Sequence, residues 1–303
     1  MATIRAFMFH DVRDLSETLY PNRYELRSFL SKKEFKHQIN VINRDYRIIS
    51  SGDIENIDLT DDEHDYAVLT FDDGLSDHYY VYQHLKKLKI SGTFFVPAAP
   101  IIDHKMIHPH KIQFILAVRH EKNLVEEILS NFDNKDEIWD KYSITEWKDN
   151  WWSKEMIFIT NFLRKHKTET FNCYDYTDYL FVKYVFRSEE EFAKRFYLTL
   201  KELEEISNNS MTVGGHGYSS DNLLLVDDID LDIKRSYTLI KEYSDTFMFS
   251  YPNGGVNGEI KDIMKKYNCP LSYTVNPKTI TNLDTVDYLE FPRYDAPQKI
   301  SLK

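Results

Sequence analysis

The sequence predicts an α/β fold built on a parallel sheet, because short apolar runs alternate with segments of helical period. The first apolar run, Ile4–Phe9, fits a buried strand, and a helical segment capped by Ser31 follows over 32–43. Two further runs, 67–71 and 93–96, lie on either side of the next helical segment. Such strand–helix–strand units with short connections form either a barrel or a doubly wound layer, and both remain open from the pattern alone.

The same alternation returns in the last third of the chain. Apolar runs at 211–213, 247–251 and 271–275 fit strands, with helical segments between them. From 110 to 210 the period is helical, and aromatic and charged residues are densely mixed. No internal repeat or Pro/Gly/Ser-rich linker interrupts the chain, so we expect one β/α domain spanning 1–303 that carries residues 110–210 as a helical insertion packed on it.

Composition narrows the class of function. The 303 residues contain 38 Lys and Arg against 49 Asp and Glu, and the net charge of −11 does not suit a protein whose main task is binding nucleic acid. The two cysteines exclude a disulfide scaffold and a four-cysteine zinc site. The first residues lack a basic leader with an apolar core, and no stretch approaches the ~18 apolar residues of a membrane span. The sequence therefore predicts a cytoplasmic protein without a membrane span.

The segment Thr70-Phe71-Asp72-Asp73-Gly74 joins an apolar strand end to two carboxylates and a glycine that permits a tight turn. Adjacent residues at a strand end can point in different directions, so one carboxylate can bind a metal while the other handles protons. Polar residues at the carboxyl ends of parallel strands are candidates for an active site. An Asp helix cap followed by a glycine turn produces the same letters without any function, and the motif alone leaves both interpretations open.

Two more polar loops follow apolar runs. Glycines on both sides of His216 let the backbone approach a ligand, and histidine is the commonest side-chain metal ligand, although a single loop histidine is usually a surface or hydrogen-bonded one. Tyr251-Pro252-Asn253-Gly254 ends the run at 247–251. Exposed backbone N–H groups there could form an oxyanion site, and a plain proline turn explains the segment equally well.

Taken together and in this order, these segments resemble the polysaccharide deacetylase family, also called the NodB-homology or carbohydrate esterase family 4 group, over most of the β/α body. The matching segments are Phe9-His10-Asp11-Val12, similar to the "Tyr-His-x-Val" start of one branch; Thr70 to Gly74, the first motif; Gly92 to Val96, the following strand; Gly215-His216, the start of "Ser-His-Thr-x-x-His"; Tyr251 to Gly254, similar to "Tyr-Pro-Tyr-Gly"; and Phe291-Pro292-Arg293, similar to "Leu-Pro-Arg". The resemblance implies a distorted (β/α) barrel with the helical insertion beside it.

The resemblance also implies residue roles around a divalent metal, usually zinc. Asp72 would be the general base that takes a proton from the attacking water, and Arg293 would orient it through a charge-assisted hydrogen bond. Asp73 and His216 would be metal ligands. The metal would polarise the amide carbonyl and lower the pKa of the water. In the branch with the amino-terminal motif the acid for the leaving amine is that histidine, here His10.

Three further residues are expected at the substrate, one of them from a segment outside the family motifs. The backbone N–H of Asn253 would stabilise the oxyanion, and Tyr251 belongs to the same substrate-binding segment. His110 opens the predicted insertion, where it would contact a ligand or substrate. A helix entry fixed by Pro109 is the alternative explanation of that segment.

One position departs from the family pattern. The second histidine ligand lies four residues after the first, and counting four from His216 reaches Ser220, a poor neutral ligand for zinc. Three explanations compete. Either another residue completes the site, or the enzyme acts without a tightly held metal, or the site is degenerate and serves only binding. The residues considered for completing the site are Asp221, His78, His108 and His110.

With these residues, the resemblance predicts a hydrolase that removes an N-acyl group, most often acetyl, from an amino sugar. Since no export signal is visible, we expect a nucleotide- or lipid-linked sugar made inside the cell for a surface polysaccharide. A catalytically degenerate sugar-binding or scaffold protein, which Ser220 favours, and a metal-independent amide hydrolase of the same fold remain the alternatives.

Overall fold

The computed structural model describes residues 2–26, 29–60, 64–144, 152–209 and 211–296. Contacts divide the chain into two compact units. Unit 1 comprises Met1–Glu17, Arg27–Lys105 and Ala193–Lys303, and unit 2 comprises Thr18–Leu26 and Met106–Phe192. No helix in the described ranges combines the length and apolarity needed to cross a membrane.

Ten strands belong to unit 1. In chain order they are β1 (Ile4–Phe9), β2 (Asp11–Val12), β3 (Phe29–Leu30), β4 (Arg47–Ile49), β5 (Tyr66–Phe71), β6 (Thr93–Val96), β7 (Thr212–Gly215), β8 (Phe249–Ser250), β9 (Ser272–Tyr273) and β10 (Tyr294–Asp295). Eight of them form one sheet in the order β10-β1-β5-β6-β7-β8-β9, with β4 also paired to β5, while β2 and β3 pair separately. Each pairing between these strands is parallel, which confirms the predicted sheet.

The two ends of the sheet approach each other through the segment before β10. The Phe291 N–H donates to the Ser272 carbonyl at 2.8 Å, and the Thr274 N–H donates to the Phe291 carbonyl at 2.9 Å. The same segment continues into β10, which pairs with β1. This continuity is the distorted β/α barrel, and it brings the carboxyl ends of distant strands to one edge.

The described residues also form twelve α-helices. They are α1 (Lys32–Asp45), α2 (Asp77–Leu88), α3 (Ala98–Ile102), α4 (His108–Val118), α5 (Glu121–Leu129), α6 (Lys135–Tyr142), α7 (Lys154–Lys165), α8 (Cys173–Tyr184), α9 (Glu189–Phe196), α10 (Leu200–Ser207), α11 (Ile229–Ile240) and α12 (Gly258–Lys266). Local sequence explains several of their ends. Ser31 caps α1, for example, and Glu34 returns a hydrogen bond to the backbone of the cap.

Near its end, the helical pattern predicted for 110–210 divides into two separate helices, α9 and α10. The second begins at Thr199, whose hydroxyl accepts a hydrogen bond from the Glu202 N–H, while the Glu202 carboxylate accepts one from the Thr199 N–H. This capping box is a Thr-x-x-Glu signal that starts a new helix within a helical pattern. The predicted insertion reaches residue 210, whereas α10 belongs to unit 1.

Unit 1 has an aromatic core under the carboxyl end of the sheet. Phe71 stacks on Phe9 and Phe94, with ring centroids 5.2 and 4.9 Å apart. Phe35 from α1 packs edge-on against Phe9 and Phe71. These rings are fully buried, and each contributes roughly 1.5–3 kcal/mol of hydrophobic stabilisation. The strand ends above them are therefore held on a rigid base.

Candidate active site at the carboxyl edge of the sheet

Strand register brings the predicted residues to one edge of the sheet. β1 and β5 pair from Ile4 opposite Tyr66 to Phe9 opposite Phe71, so His10 and Asp72 leave neighbouring strands at the same level. The Asp72 N–H continues this ladder by donating to the Phe9 carbonyl at 3.0 Å. On the other side, the His216 N–H donates to the Val96 carbonyl at 3.1 Å where β7 ends.

Asp72 and Arg293 form a buried bidentate ion pair. The two Nη groups of Arg293 donate to the two carboxylate oxygens of Asp72, each at 2.8 Å. Neither residue is more than 2% exposed. Removing one partner of such a pair leaves an uncompensated buried charge, which typically costs about 3–5 kcal/mol of stability.

The remaining donors of Arg293 are also occupied. Its Nε donates to the Thr274 carbonyl at 2.9 Å, and Nη1 also donates to the Thr70 hydroxyl at 3.0 Å. Nη2 also donates to the Ser250 hydroxyl at 2.7 Å, and that hydroxyl in turn donates to Asp72 at 3.0 Å. The Asp72 carboxylate is thus oriented by three hydrogen bonds from two side chains.

The charge state of Asp72 follows from these partners. Burial is the largest single effect and raises the pKa of this carboxyl group. The charge and hydrogen bonds of Arg293, together with the nearby His216 and His10, outweigh it, so the pKa lies below its usual range. Asp72 is therefore a carboxylate at neutral pH. An ionised carboxylate can accept a proton and cannot donate one.

Asp73 turns away from Asp72 at the end of β5. It adopts a left-handed backbone with φ of 78°, and Gly74 follows with φ of 59°. A Cβ on residue 74 would lie 2.9 Å from Val96 Cγ1, so this turn requires glycine. The predicted division between the two carboxylates is consistent with this geometry, because the turn separates the two side chains.

Asp73, His216 and Ser220 come together across the edge. Nε2 of His216 lies 3.5 Å from Oδ1 of Asp73, and the Ser220 hydroxyl donates to the same oxygen at 3.4 Å. Nδ1 of His216 lies 2.9 Å from the Ser250 carbonyl. A carbonyl oxygen only accepts, so Nδ1 carries a proton and donates to it, and Nε2 is the ring nitrogen that faces Asp73.

Asp73 and His216 are residue types that commonly bind a divalent cation. A carboxylate oxygen and an imidazole lone pair that face each other suit a cation between them, and the carbonyl that holds Nδ1 is the outer partner typical of metal-binding histidines. Structural and catalytic zinc sites have at least three protein ligands, whereas the third group here is a hydroxyl. Asp73 and His216 therefore fit a cation with one strong ligand fewer than tightly held zinc has.

The residues proposed to complete the site do not do so in the described part of the chain. No three His, Cys, Asp or Glu side chains there are grouped as a metal site. Nε2 of His78 bonds to the His10 carbonyl at 3.1 Å, and its ring lies 5.9 Å from the rings of Phe71 and Phe94. In unit 2, Nε2 of His108 bonds to the Leu163 carbonyl at 2.8 Å.

His78 thus has a supporting role in unit 1. Its burial lowers its pKa to about 4, so the ring is neutral at neutral pH. With the proton on Nε2, it donates to the backbone carbonyl of His10. We conclude that this hydrogen bond helps to hold His10, which directly follows β1.

Two side chains predicted to bind substrate are buried in the structure. The Tyr251 side chain is fully buried with its ring centroid 5.5 Å from that of Phe249, and burial raises its pKa. His110 lies in α4 of unit 2, where its side chain is 4% exposed. Their contact with a substrate stays a prediction, since Asp72 and Arg293 are buried to a similar degree.

Asn253 is different, since it is exposed in the turn after Tyr251. It adopts a left-handed backbone with φ of 54°, and Gly254 follows with φ of 70°. Asparagine is among the residues that accept this region of backbone space. Its position at the carboxyl edge after β8 is compatible with the predicted oxyanion role of its N–H group.

Asp295 is a candidate site residue that the sequence analysis did not name. It lies opposite Met8 in the pairing of β10 with β1, two residues before His10 on that strand. Burial raises its pKa, and the charge of His10 opposes this. Within the described residues, its Oδ1 atom is buried without a hydrogen-bond partner. The alternation of side chains places residues 293 and 295 on one face of the strand, and this signal was available in the sequence.

The chain is similar in fold to several solved structures, two of which are named as deacetylases. IcaB from Ammonifex degensii has a TM-score of 0.56 and 15% identity, covering 97% of this chain and 92% of that chain. The deacetylase PplD from Streptococcus pyogenes, in complex with acetate, has a TM-score of 0.56 and 16% identity over 97% of this chain and 92% of that chain. The BpsB deacetylase domain from Bordetella bronchiseptica has a TM-score of 0.51 and 12% identity over 96% and 95%.

No protein-family model and no curated protein sequence matches the chain. The structural similarity at these identities establishes a shared fold. It confirms the deacetylase-type β/α fold predicted from the order of the sequence motifs.

Proposed function

We propose that this protein is an amide hydrolase that removes an N-acyl group, in the first instance acetyl, from an amino sugar. The observation that carries the proposal is the buried Asp72–Arg293 pair, which presents an ionised carboxylate beside Asp73 and His216 at the edge of a deacetylase-type sheet. The solved deacetylases with the same fold support it.

In this proposal Asp72 is the general base. It accepts a proton from the attacking water as the new carbon–oxygen bond forms, and Arg293 and Ser250 keep its two oxygens in place. Charge develops on the former carbonyl oxygen, and the N–H of Asn253 stabilises it. Positioned bases of this kind contribute roughly 10²–10⁴-fold to rate.

His10 is the proposed acid. It donates a proton to the sugar nitrogen as the carbon–nitrogen bond breaks, so that acetate and an amine are released. Asp295, whose buried oxygen lacks a hydrogen-bond partner in the described chain, is proposed to stabilise the protonated ring. His78 positions His10 through its backbone carbonyl.

We further propose that Asp73 and His216 would hold a divalent metal, with zinc as the first candidate, and with Ser220 beside them. When bound, the metal would polarise the amide carbonyl and lower the pKa of the attacking water. The proton movements assigned above belong to Asp72 and His10.

The proposed substrate is an amino sugar linked to a nucleotide or lipid inside the cell, for a surface polysaccharide. Support comes from the thiols, because Cys173 and Cys269 are both free and buried, as is usual in a reducing compartment. An acetate-release screen tests this class directly. We expect release from UDP-N-acetylglucosamine or a lipid-linked analogue in preference to insoluble chitin or peptidoglycan.

Wild type and Asp72→Asn should be screened together, with Asp262→Asn on the exposed face of α12 as the control. Acetate release by wild type and the control, and its loss in Asp72→Asn, would support the proposal. Release that is equal in all three proteins would contradict it.

A sugar-binding protein without catalysis is the second candidate, and Ser220 is the observation that favours it. Binding of N-acetylglucosamine compounds by calorimetry, with no acetate release at any divalent metal tested, would establish that alternative. Full acetate release in excess chelator would instead establish a metal-independent amide hydrolase.

A further inference from the structure

The loop that carries His216 and Ser220 is held from α11 by one buried carboxylate. Asp232 is 7% exposed, and it lies in the first turn of that helix. Its Oδ1 accepts a hydrogen bond from the Tyr218 N–H at 2.8 Å. Its Oδ2 accepts from the Ser219 N–H at 3.4 Å and from the Ser219 hydroxyl at 3.3 Å. Both oxygens therefore bind donors from the same short loop.

The shape of the loop depends on this carboxylate. Gly217 has φ of 72°, and a Cβ at that position would lie 2.8 Å from Oδ1 of Asp232. Glycine thus allows the carboxylate to approach the two N–H groups. Directly after them, Ser220 turns with φ of 60° and directs its hydroxyl to Asp73. The N–H groups that Asp232 holds are those immediately before this turn.

Other contacts hold the opposite side of the loop. The N–H groups of Ala98 and Ala99, at the start of α3, donate to the carbonyls of Gly217 and Tyr218 at 3.1 and 2.8 Å. The guanidinium of Arg235, one turn after Asp232, lies 4.5 Å from the centre of the Tyr218 ring. Each of these carbonyls shares a planar peptide group with one of the N–H groups that Asp232 binds. Asp232 and the start of α3 therefore hold the same two peptide groups from opposite sides.

We propose that Asp232 is a positioning residue that sets the distance from His216 and Ser220 to Asp73. It contacts none of these three side chains and acts through the backbone between them. The expected loss of kcat rests on the proposed function. The expected loosening of the loop 216–220 does not depend on any activity. Charge-assisted hydrogen bonds to N–H groups are the strong class of hydrogen bond, and an amide at this position would turn a donor toward them.

Asp232→Asn tests the proposal, with Asp230→Asn as the matched control. Asp230 lies on the same helix and pairs with Lys266 at the surface. Amide hydrogen exchange is measured for the segment 216–220, for β7 and for the rest of α11. We expect exchange in 216–220 to accelerate at least ~10-fold in Asp232→Asn, with little change elsewhere and none in the control.

Kinetics and Zn²⁺ titration then separate positioning from support of the fold. With UDP-N-acetylglucosamine, we expect kcat to fall at least ~10-fold while KM stays within ~2-fold, since the loop orients the reacting groups. Zn²⁺ affinity by calorimetry should fall as well. Gly217→Ala, which displaces the carboxylate from the other side, should give the same pattern if Asp232→Asn does not fold.

Unchanged exchange in 216–220 would overturn the inference, and so would accelerated exchange spread equally over β7 and α11. Local acceleration without any loss of kcat or Zn²⁺ affinity would likewise exclude a positioning role. If wild type releases no acetate, the proposed function fails, but the exchange and Zn²⁺ measurements still decide the inference.

Discussion

The two halves of the site differ in the distances between their polar side-chain atoms. Around Asp72, the Arg293 and Ser250 donors lie 2.8 to 3.0 Å from the carboxylate, and burial is nearly complete. Around Asp73, the neighbouring atoms of His216 and Ser220 lie at 3.5 and 3.4 Å. The first half is organised by the protein's own ion pair, whereas the second offers acceptors for a cation with one strong ligand fewer than zinc usually has.

Because of this difference, we expect that the proposed proton-transfer groups and the proposed metal ligands can be altered separately. A residue change in the first half leaves an uncompensated buried charge, so it should affect both folding and activity. A change in the second half should mainly affect metal binding. The predictions below test this separation, from the largest expected effect to the smallest.

Asp72→Asn should lower the rate of acetate release by at least ~10²-fold, because the general base is lost. It should also lower the free energy of unfolding, since Arg293 keeps its buried charge without a carboxylate partner. Acetate assays and urea unfolding measure the two effects. A turnover close to that of wild type would remove Asp72 from the mechanism.

The double variant Asp72→Asn with Arg293→Met separates these effects. It removes both charges, so we expect it to regain most of the lost stability while activity stays low. Recovery of activity together with stability would mean that Asp72 acts through the fold rather than as a base.

His10→Ala should lower amide hydrolysis by about 10²-fold and the hydrolysis of an activated ester such as 4-nitrophenyl acetate by much less. An amine needs a proton in order to leave, whereas nitrophenolate does not. The measurement is the ratio of kcat/KM for the two substrates, with His37→Ala as a control in α1. Equal losses on both substrates would assign His10 to structural support.

Ser220→His should tighten Zn²⁺ binding at least ~10-fold by supplying a third strong ligand. The Ser220 side chain already points to Asp73, and histidine is among the residues that tolerate its left-handed backbone. Ser130→His is the control, because this exposed residue at the end of α5 is not part of the loop that carries Ser220. The test is the metal content per chain of wild type and Ser220→His, measured before and after dialysis. Wild type that already retains about one metal per chain would show that the site is complete without the change.

Stability should fall at acidic pH, because two buried histidines resist protonation. Burial lowers the pKa of His78 in unit 1 and of His108 in unit 2 to about 4 from the model-peptide value of 6.5. The unfolded chain therefore binds more protons between these values. The free energy of unfolding should be constant with respect to these groups above pH ~6.5 and decrease as pH falls toward ~4. Urea titrations of wild type and His78→Gln test this, and identical slopes would exclude His78.

Local sequence signals were sufficient for much of the fold. The strand at Ile4–Phe9 and the helix after Ser31 agree with the structure, because apolar period and capping are properties of neighbouring residues. The motif at Asp72 and Asp73 likewise identified the edge of the sheet. The break between α9 and α10 also has a local signal, the Thr199 capping box, which the sequence analysis did not use.

The tertiary structure alone decided which side chains meet. Asp72 and Arg293 are 221 positions apart, and their pairing depends on the register of β5 and the return of the chain beside β1. Tyr251 matched a family motif, yet its side chain is packed inward. Motifs are read along the chain, whereas burial and side-chain direction follow from contacts between distant segments. For that reason the sequence determined the residue types at the edge of the sheet, and packing determined which of them face each other.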